Sequence, residues 1–411
     1  MSKDNMLKKN FIWNSLGSTI YSFTSLFFMI IVTRINGVNE AGIFTFAFAN
    51  ACFLQVIGTY AGRTYQVTEN NKNITDNDYV YNRIISSVFM ILIGILFSSI
   101  KGYTYLKLFT IILLIIYKAM DAFCESIYGI IQKNNGLYKV GISLFLKGIV
   151  GTIAFFIVDY VTKNLLLSVF SLIIVNLMIT LFYDLMNVKR YHYQFQKINV
   201  QKTFTIFKLG FWTFLFTFLT QYLINAPKYA IDNYLENDMQ TIYGIIAMPA
   251  TIMVLISNFV VQPFLLKVSD ILNRKKLKEL NKLLSKMVLA IIIIGVMALI
   301  CAYFLGIPVL NLLYGIKLNL YVNHLMIIII GATIFSITII ISNILVAMRK
   351  TKSQTIIFII TSVLAFILSN ILVKNYSIFG AVISYLISMI LLLILYICIY
   401  ISSVKGVLKN G

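Results

Sequence analysis

Ionisable side chains recur on one face of an apolar segment in the first half of the chain. Lys118, Asp121 and Glu125 follow one another at spacings of three and four residues, and Lys107 precedes Lys118 by eleven. At about 100° per residue, these side chains fall within a sector of roughly 60° on a helix. Burying one such group in lipid costs about 2.5 to 3.5 kcal/mol. The face therefore lines a polar cavity, or it forms an ion pair that holds two helices together.

The charges on this face suit two kinds of binding. Lys118, together with Lys147 in the next apolar segment, could neutralise an anion. Asp121 and Glu125 are the carboxylates placed to bind a coupling proton or sodium ion. Both uses require these side chains to face the protein interior.

A second polar face interrupts an apolar segment in the second half of the chain. Gln221, Asn225 and Lys228 recur at helical spacing, with Pro227 and Asp232 close by. Freed carbonyls near a proline in a membrane helix can be satisfied by polar neighbours or by water. This segment is predicted to contact the cargo, and a polar seam between two helices is the alternative.

The composition predicts the kind of scaffold that must position these groups. Hydrophobic residues make up 60% of the 411 residues and charged residues only 12%, whereas a soluble domain has about 25% charged residues. The four cysteines all lie in apolar segments and are interpreted as core residues, so neither a metal site, a disulfide nor a cofactor is expected. The chain is predicted to be an all-α integral membrane protein.

A membrane-spanning helix needs about 20 apolar residues, and the pattern predicts about 12 of them. They are placed near residues 11–33, 41–61, 84–100, 104–131, 140–160, 164–187, 209–231, 239–266, 284–306, 321–347, 354–373 and 379–403.

The basic residues predict the orientation, because short loops rich in Lys and Arg stay in the cytoplasm. Cytoplasmic N- and C-termini put most basic residues, including those of the loop at 267–286, on the inner side. The outer loops then hold Arg34, Lys101, Lys163, Lys228, Lys317 and Lys374. This asymmetry accounts for the net charge of +20 without a nucleic-acid partner.

An internal repeat is indicated by the two tryptophans. Trp13 and Trp212 each stand four residues after a lysine, at the head of an apolar segment. A parallel repeat of six plus six helices is a known transporter plan. We therefore predict an N-terminal lobe at 1–200 and a C-terminal lobe at 201–411, joined by a basic loop at 189–202, with a substrate cavity between them.

Several classes of protein are disfavoured by missing motifs. The sequence has no Gly-rich phosphate loop and no nucleophile elbow, which argues against an ATPase or a hydrolase. The protein is not expected to be an enzyme, and transport would be driven by an ion gradient or by mass action.

Several segments resemble the Wzx-type polysaccharide flippases of the multidrug/oligosaccharidyl-lipid/polysaccharide (MOP) exporter superfamily. The most specific is the run Asn225-Ala226-Pro227-Lys228-Tyr229-Ala230-Ile231-Asp232. The others are Arg34-Ile35-Asn36-Gly37 with Glu40-Ala41-Gly42-Ile43-Phe44, Gly62-Arg63-Thr64-Tyr65-Gln66-Val67-Thr68, and Tyr128-Gly129-Ile130-Ile131-Gln132. Beyond about residue 290, the resemblance is one of hydropathy and span count only.

The resemblance implies a MATE-like, two-lobed transporter in the bacterial cytoplasmic membrane. Such a protein moves undecaprenyl-diphosphate-linked oligosaccharide repeat units across the membrane by alternating access, for O-antigen, capsule or exopolysaccharide synthesis. The expected partners are this substrate, membrane lipids, the polysaccharide polymerase machinery and a coupling ion, H⁺ or Na⁺. The candidate substrate-binding residues are Arg34, Arg63, Lys118, Lys147, Gln221, Asn225 and Lys228, and Asp121 and Glu125 are the coupling-ion candidates.

Two alternatives stay open at this stage. A multidrug antiporter of the same superfamily shares the fold but handles organic cations, which favour acidic cavities. A polysaccharide polymerase is also polytopic, but it is an enzyme and typically needs a large outer loop with arginines. The predicted outer loops are too short for such a domain.

Overall fold

The computed structural model describes residues 3–60, 62–68, 74–191, 193, 198–261, 264, 268, 270–272, 274, 276–348 and 350–409. These residues form helices and contain no strand. Residues 192 and 194–197 of the predicted connecting loop, and Lys267 and Lys275 of the basic loop, lie outside this set. The chain divides into two compact units, unit 1 (Met1–Phe214) and unit 2 (Leu215–Gly411).

Unit 1 contains eight helical segments and the first part of a ninth within its described residues. They are α1 (Lys3–Ile35), α2 (Val38–Thr59), α3 (Gly62–Val67), α4 (Asp76–Ile100), α5 (Tyr105–Lys133), α6 (Leu137–Thr162), α7 (Leu165–Ile179), α8 (Leu185–Lys189) and α9 (Val200–Tyr234). A π-helical turn, Thr180–Asp184, joins α7 to α8. The division between the units falls inside α9.

Unit 2 continues from α9 with further long helices. They are α10 (Asn237–Val261), α11 (Leu277–Cys301), α12 (Ile307–Tyr314), α13 (Val322–Ala347) and α14 (Thr351–Lys409). A second π-helical turn, Ala302–Gly306, joins α11 to α12. α9 and α10 continue through Pro227 and Pro249, respectively.

Ten helices among the described residues are long and apolar enough to cross a membrane. One of them, Thr351–Val404, covers two predicted spans and is broken at Ser377, where φ is 55°. α5 is not among the ten because every stretch of 18 residues in it contains at least three charged residues. The number of spans and the side on which the termini lie stay predictions.

The start of α4 differs from the sequence-based expectation. The apolar pattern begins a span at residue 84, whereas α4 begins at Asp76. The Thr75 side chain accepts a hydrogen bond from the Asp78 amide, and Asp78 bonds back to Thr75, a capping box that satisfies amides at the helix start. The additional turns bring Arg83 into the buried part of the helix.

Close packing of α1 on α6 holds the candidate site in position. A Cβ atom at Gly17 would collide with the Gly141 carbonyl, and one at Gly141 would collide with the Trp13 backbone. Glycine at both positions lets the two backbones approach, as is common between membrane helices. α1 and α6 can therefore carry side chains that meet those of α5 and α7.

Candidate functional site

The first part of the site is an ion pair within α5. Lys118 Nζ lies 3.0 Å from Asp121 Oδ2, one helical turn away, and the two residues are only 6% and 8% exposed. The ammonium group also lies 5.3, 5.2 and 4.9 Å from the ring centroids of Tyr21, Phe48 and Tyr117. The Tyr21 hydroxyl donates to Asp121. Three rings and one carboxylate thus surround a buried cation, an arrangement that favours the charged amine.

A second ion pair joins α6 to the π-helical turn. Lys147 Nζ lies 3.1 Å from Asp184 Oδ2, and both side chains are buried. Lys147 Nζ also lies 3.1 Å from Cys124 Sγ. The Tyr128 hydroxyl is 3.4 Å from Asp184 Oδ2 and 2.9 Å from the Ser143 hydroxyl. This pair therefore ties α5, α6 and the π-helical turn together.

Polar side chains connect the two ion pairs. Asn176 Nδ2 donates to Asp121 Oδ1 at 2.8 Å, and the Thr180 hydroxyl donates to Asn176 Oδ1 at 3.2 Å. Thr180 Oγ1 in turn lies 3.2 Å from Cys124 Sγ, which contacts Lys147. The result is one continuous chain of contacts across unit 1, here called the membrane network. It consists of Tyr21, Tyr117, Lys118, Asp121, Cys124, Tyr128, Ser143, Lys147, Asn176, Thr180 and Asp184.

The local geometry of α7 explains how the network closes. Asn176, Thr180 and Asp184 are spaced by four residues, which places them on one face of a helix. The π-helical turn lies at the end of this face, and such turns are often found at functional sites.

The positive and negative charges of the network are equal in number, but not every polar atom in it has a hydrogen-bond partner. Two lysines face two aspartates, so the buried charges compensate in pairs. Asp184 Oδ1 is buried and has no hydrogen-bond partner among the described residues. This oxygen can therefore accept a hydrogen bond from one more donor. No group of three or more His, Cys, Asp or Glu side chains in the described part of the chain is arranged to hold a metal ion.

The structure brings some of the predicted site residues together. Lys118, Asp121 and Lys147 belong to the membrane network. Arg63 and Glu125 form a separate, partly exposed pair, with Nε and Oε2 at 3.5 Å. Both predicted coupling carboxylates thus have a cationic partner: Asp121 pairs with Lys118 within α5, and Glu125 pairs with Arg63 of α3.

The other predicted residues lie elsewhere. Arg34 is exposed in the last turn of α1. Gln221, Asn225 and Lys228 lie on the part of α9 that belongs to unit 2. The Asn225 amide donates to the Gln221 carbonyl at 2.9 Å, and Asn225 is buried while Lys228 is half-buried. Their role in binding stays a prediction.

Sequence reasoning missed the partners of the two lysines. Asp184 and Asn176 were not selected, although with Thr180 they form a polar stripe at four-residue spacing in an apolar segment. That stripe was a usable signal. Tyr21, Tyr117 and Tyr128 gave none, because single tyrosines are common in membrane helices of this composition.

Solved structures of other proteins share the fold of this chain. The chain has the fold of the MOP exporter superfamily: an inward-facing multidrug resistance MATE family transporter superposes with a TM-score of 0.75 at 11% identity, over 97% of this chain and 99% of that one. The lipid II flippase MurJ, in an inward closed conformation, gives a TM-score of 0.74 at 15% identity, over 97% and 90% of the two chains. The predicted all-α, multi-pass membrane fold is therefore confirmed.

A curated protein extends the similarity to sequence. The capsular polysaccharide biosynthesis protein CapF of Staphylococcus aureus is 25% identical over 402 residues, which cover 95% of this chain and 98% of CapF. No known family model matches the chain. The resemblance to polysaccharide exporters of the MOP superfamily is confirmed by CapF together with the two structures.

Proposed function

We propose that this protein is a flippase for undecaprenyl-diphosphate-linked oligosaccharide repeat units. It moves them from the inner to the outer leaflet of a bacterial cytoplasmic membrane by alternating access, and it catalyses no covalent reaction. The polymer served is a capsule, an O-antigen or an exopolysaccharide. The observation that carries the proposal is the similarity to a capsular polysaccharide biosynthesis protein over nearly the whole chain, in a protein with the fold of a lipid II flippase.

The buried cations of unit 1 support an anionic substrate. Lys118 and Lys147 are 6% and 4% exposed, inside helices long enough to span a membrane, and ionisable groups at such positions are usually functional. A diphosphate would be neutralised by these two cations once their aspartate partners are displaced. The proposed substrate-binding set is Arg34, Arg63, Lys118, Lys147, Gln221, Asn225 and Lys228.

Coupling to an ion gradient is proposed for Asp121 and Glu125. Each carboxylate has a cationic partner, Lys118 and Arg63 respectively. A bound proton or sodium ion would compete with that partner, so ion binding would release the cation toward the diphosphate. Polymerase proteins and membrane lipids are the expected partners in the cell.

The test is translocation by the purified protein in liposomes. The measurement is the fraction of undecaprenyl-diphosphate-linked oligosaccharide that an impermeant oxidant reaches over time. The wild-type protein should accelerate exposure, Lys118→Met should slow it at least about tenfold, and the exposed Arg274→Gln should match the wild type. Absence of acceleration would contradict the proposal, and a longer glycan in the product would indicate a polymerase.

The coupling proposal has its own test in the same liposomes. Asp121→Asn and Glu125→Gln should make transport insensitive to an imposed proton or sodium gradient. If transport by both variants responds to the gradient as transport by the wild type does, these carboxylates do not couple transport to an ion.

A multidrug transporter is the second candidate, because the MATE transporter structure matches as well as the flippase structure does. Organic cations need carboxylates without cationic partners, whereas Asp121, Asp184 and Glu125 are each paired with a lysine or arginine. Uptake of a fluorescent organic cation by the same liposomes, without oligosaccharide exposure, would decide for this candidate.

A further inference from the structure

Unit 1 also contains an apolar cavity and two arginines, Arg63 and Arg83, that do not belong to the membrane network. An apolar cavity of about 560 Å³ is bordered by α2, α4 and α9. Its walls include Ile57, Ile85, Val88, Phe89 and Phe207, and the hydroxyl groups in its lining belong to Tyr60 and Ser86. The Ser86 hydroxyl donates to the Gly58 carbonyl at 2.6 Å, so it presents no free donor to the cavity. A space of this kind fits a hydrocarbon chain.

The backbone is unusual between α2, which borders this cavity, and α3, which carries Arg63. Tyr60, at the end of α2, has φ 40° and ψ −102°, and Gly62 has φ 75°. A non-glycine residue in this region is strained, and such residues cluster at functional sites. The Tyr60 ring stacks on Phe214 and its hydroxyl donates to the Phe207 carbonyl at 2.8 Å. The turn thus fixes Tyr60 at the cavity and starts α3, which carries Arg63.

Arg83 directly precedes the cavity residues of α4, which begin at Ile84. Its side chain is fully buried, and only Nη1 has a partner, Asn82 Oδ1 at 3.3 Å. Among the described residues, Arg83 Nε and Nη2, Asn82 Nδ2 and Arg63 Nη1 are buried without a hydrogen-bond acceptor. Leaving one such charged donor unsatisfied costs about 1 to 3 kcal/mol or more. Arg63 and Arg83 both interact with Glu125, and guanidinium donors of this kind suit an oxyanion with several acceptor oxygens.

The charges near Arg83 leave one positive charge uncompensated. Glu125 pairs with Arg63 at 3.5 Å, and its carboxylate also acts electrostatically on Arg83. Asp76 is held by Lys133 at 2.8 Å and by Gln66, and Asp78 caps α4. One carboxylate therefore serves two guanidinium groups.

We infer that unit 1 contains an amphiphile-binding site in which Arg63 and Arg83 bind a diphosphate and the adjacent apolar cavity takes the attached polyprenyl chain. This inference rests on the proposed function and names where the lipid part of that substrate binds. Glu125 competes with the diphosphate for both arginines. Because Arg63 and Glu125 are partly exposed and Arg83 is buried, the diphosphate reaches Arg83 only when Glu125 gives up its contact with Arg63.

The proposed binding of the diphosphate by Arg63 and Arg83 is tested with inorganic pyrophosphate and the purified protein in detergent. Arg83→Met should lower the affinity at least about tenfold, because the guanidinium donors are lost. Glu125→Gln should raise it about tenfold, because the competing charge is removed. Arg274→Gln, an exposed arginine on the other unit, is the matched control and should bind as the wild type does. A gain of affinity in Glu125→Gln cannot result from misfolding.

The proposed binding of the polyprenyl chain in the cavity is tested with undecaprenyl diphosphate. Val88→Trp fills the cavity, whereas Leu96→Trp adds the same ring to the same helix outside the cavity lining. Val88→Trp should weaken undecaprenyl diphosphate binding at least about tenfold and leave pyrophosphate binding unchanged. Leu96→Trp should leave both unchanged.

The outcomes separate this site from the proposed function. Equal pyrophosphate affinity in wild type, Arg83→Met and Glu125→Gln would overturn the site, even if the liposome assay shows translocation. Tighter binding of glycerophosphoglycerol, an anionic lipid head group, than of pyrophosphate would also overturn it, because the site would then belong to a membrane lipid. The expected affinity changes would support the site even if oligosaccharide translocation fails.

Discussion

The two units bury different kinds of polar groups. Unit 1 buries charged side chains in its described residues, including Arg83, Lys118, Lys147 and Asp184. The buried polar side chains in the described part of unit 2 are neutral, such as Gln354, which accepts from Ser342 at 2.6 Å and from Tyr396 at 3.1 Å. The ion pairs described for unit 2 are exposed on the surface.

The difference indicates where the chemistry of this protein is concentrated. A buried charge in a membrane helix costs far more than a hydroxyl or amide that bonds to a neighbouring helix. Serine and threonine in unit 2 mostly donate to the carbonyl one turn earlier, as Ser336 and Thr361 do. Packing alone accounts for such groups, whereas the charges of unit 1 require pairing or a ligand.

The largest effect is expected at the second ion pair of the membrane network. Lys147→Met leaves Asp184 buried and unpaired, and breaking a buried pair from one side costs about 3 to 5 kcal/mol. We expect a matching loss of thermal stability in detergent.

The double variant Lys147→Met/Asp184→Leu is the control for this prediction. It should regain most of the stability, because two apolar groups of similar size replace the pair. Its transport should stay abolished if the pair serves transport. Full transport by a stable double variant would show that the pair has only a structural role. The buried charges of unit 1 would then not indicate where transport takes place.

A smaller loss is expected at the first ion pair. Asp121→Asn removes the charge but keeps the shape, and Lys118 retains the Tyr21, Phe48 and Tyr117 rings. The free energy of unfolding should fall by about 1 to 3 kcal/mol, the usual cost of a lost charged hydrogen bond. Equilibrium unfolding in detergent measures it, and a loss as large as that of Lys147→Met would mean that the aromatic rings contribute little.

A still smaller effect is expected for the neutral interior of unit 2. Gln354→Leu removes the amide that Ser342 and Tyr396 bond to, and interhelical hydrogen bonds in membranes contribute about 0.6 to 1.7 kcal/mol. Transport should stay within about twofold of wild type. A loss of transport at preserved stability would place function in this part of unit 2 as well.

The smallest effect is expected on the surface of unit 2. Lys276 and Glu279 form a pair with side chains that are 51% and 55% exposed. Exposed pairs of this kind contribute about 0 to 1 kcal/mol. Lys276→Gln should therefore leave both thermal stability and transport unchanged, and a clear destabilisation would show that surface charge supports the fold more than the comparison implies.

The long helices could be predicted from the sequence because hydropathy is a local property. The predicted span 104–131 corresponds to Tyr105–Lys133, and 140–160 corresponds to Leu137–Thr162. The start of α4 was missed, since hydropathy marks only the apolar part of the helix, whereas the helix extends to the capping box at Thr75. The sequence selected Lys118, Asp121 and Lys147, which lie in the membrane network, but it selected neither Asp184 of that network nor Arg83.

The sequence by itself determined the class of protein. Apolar segments long enough to span a membrane, and charges that cannot face lipid, follow from composition and spacing alone. Only the tertiary structure decided which charges are partners, because Lys147 and Asp184 lie far apart in the chain and meet through the packing of α6 beside the π-helical turn. It also decided that Arg83 has too few acceptors, since hydrogen-bond satisfaction depends on every neighbouring helix and on no single stretch of sequence.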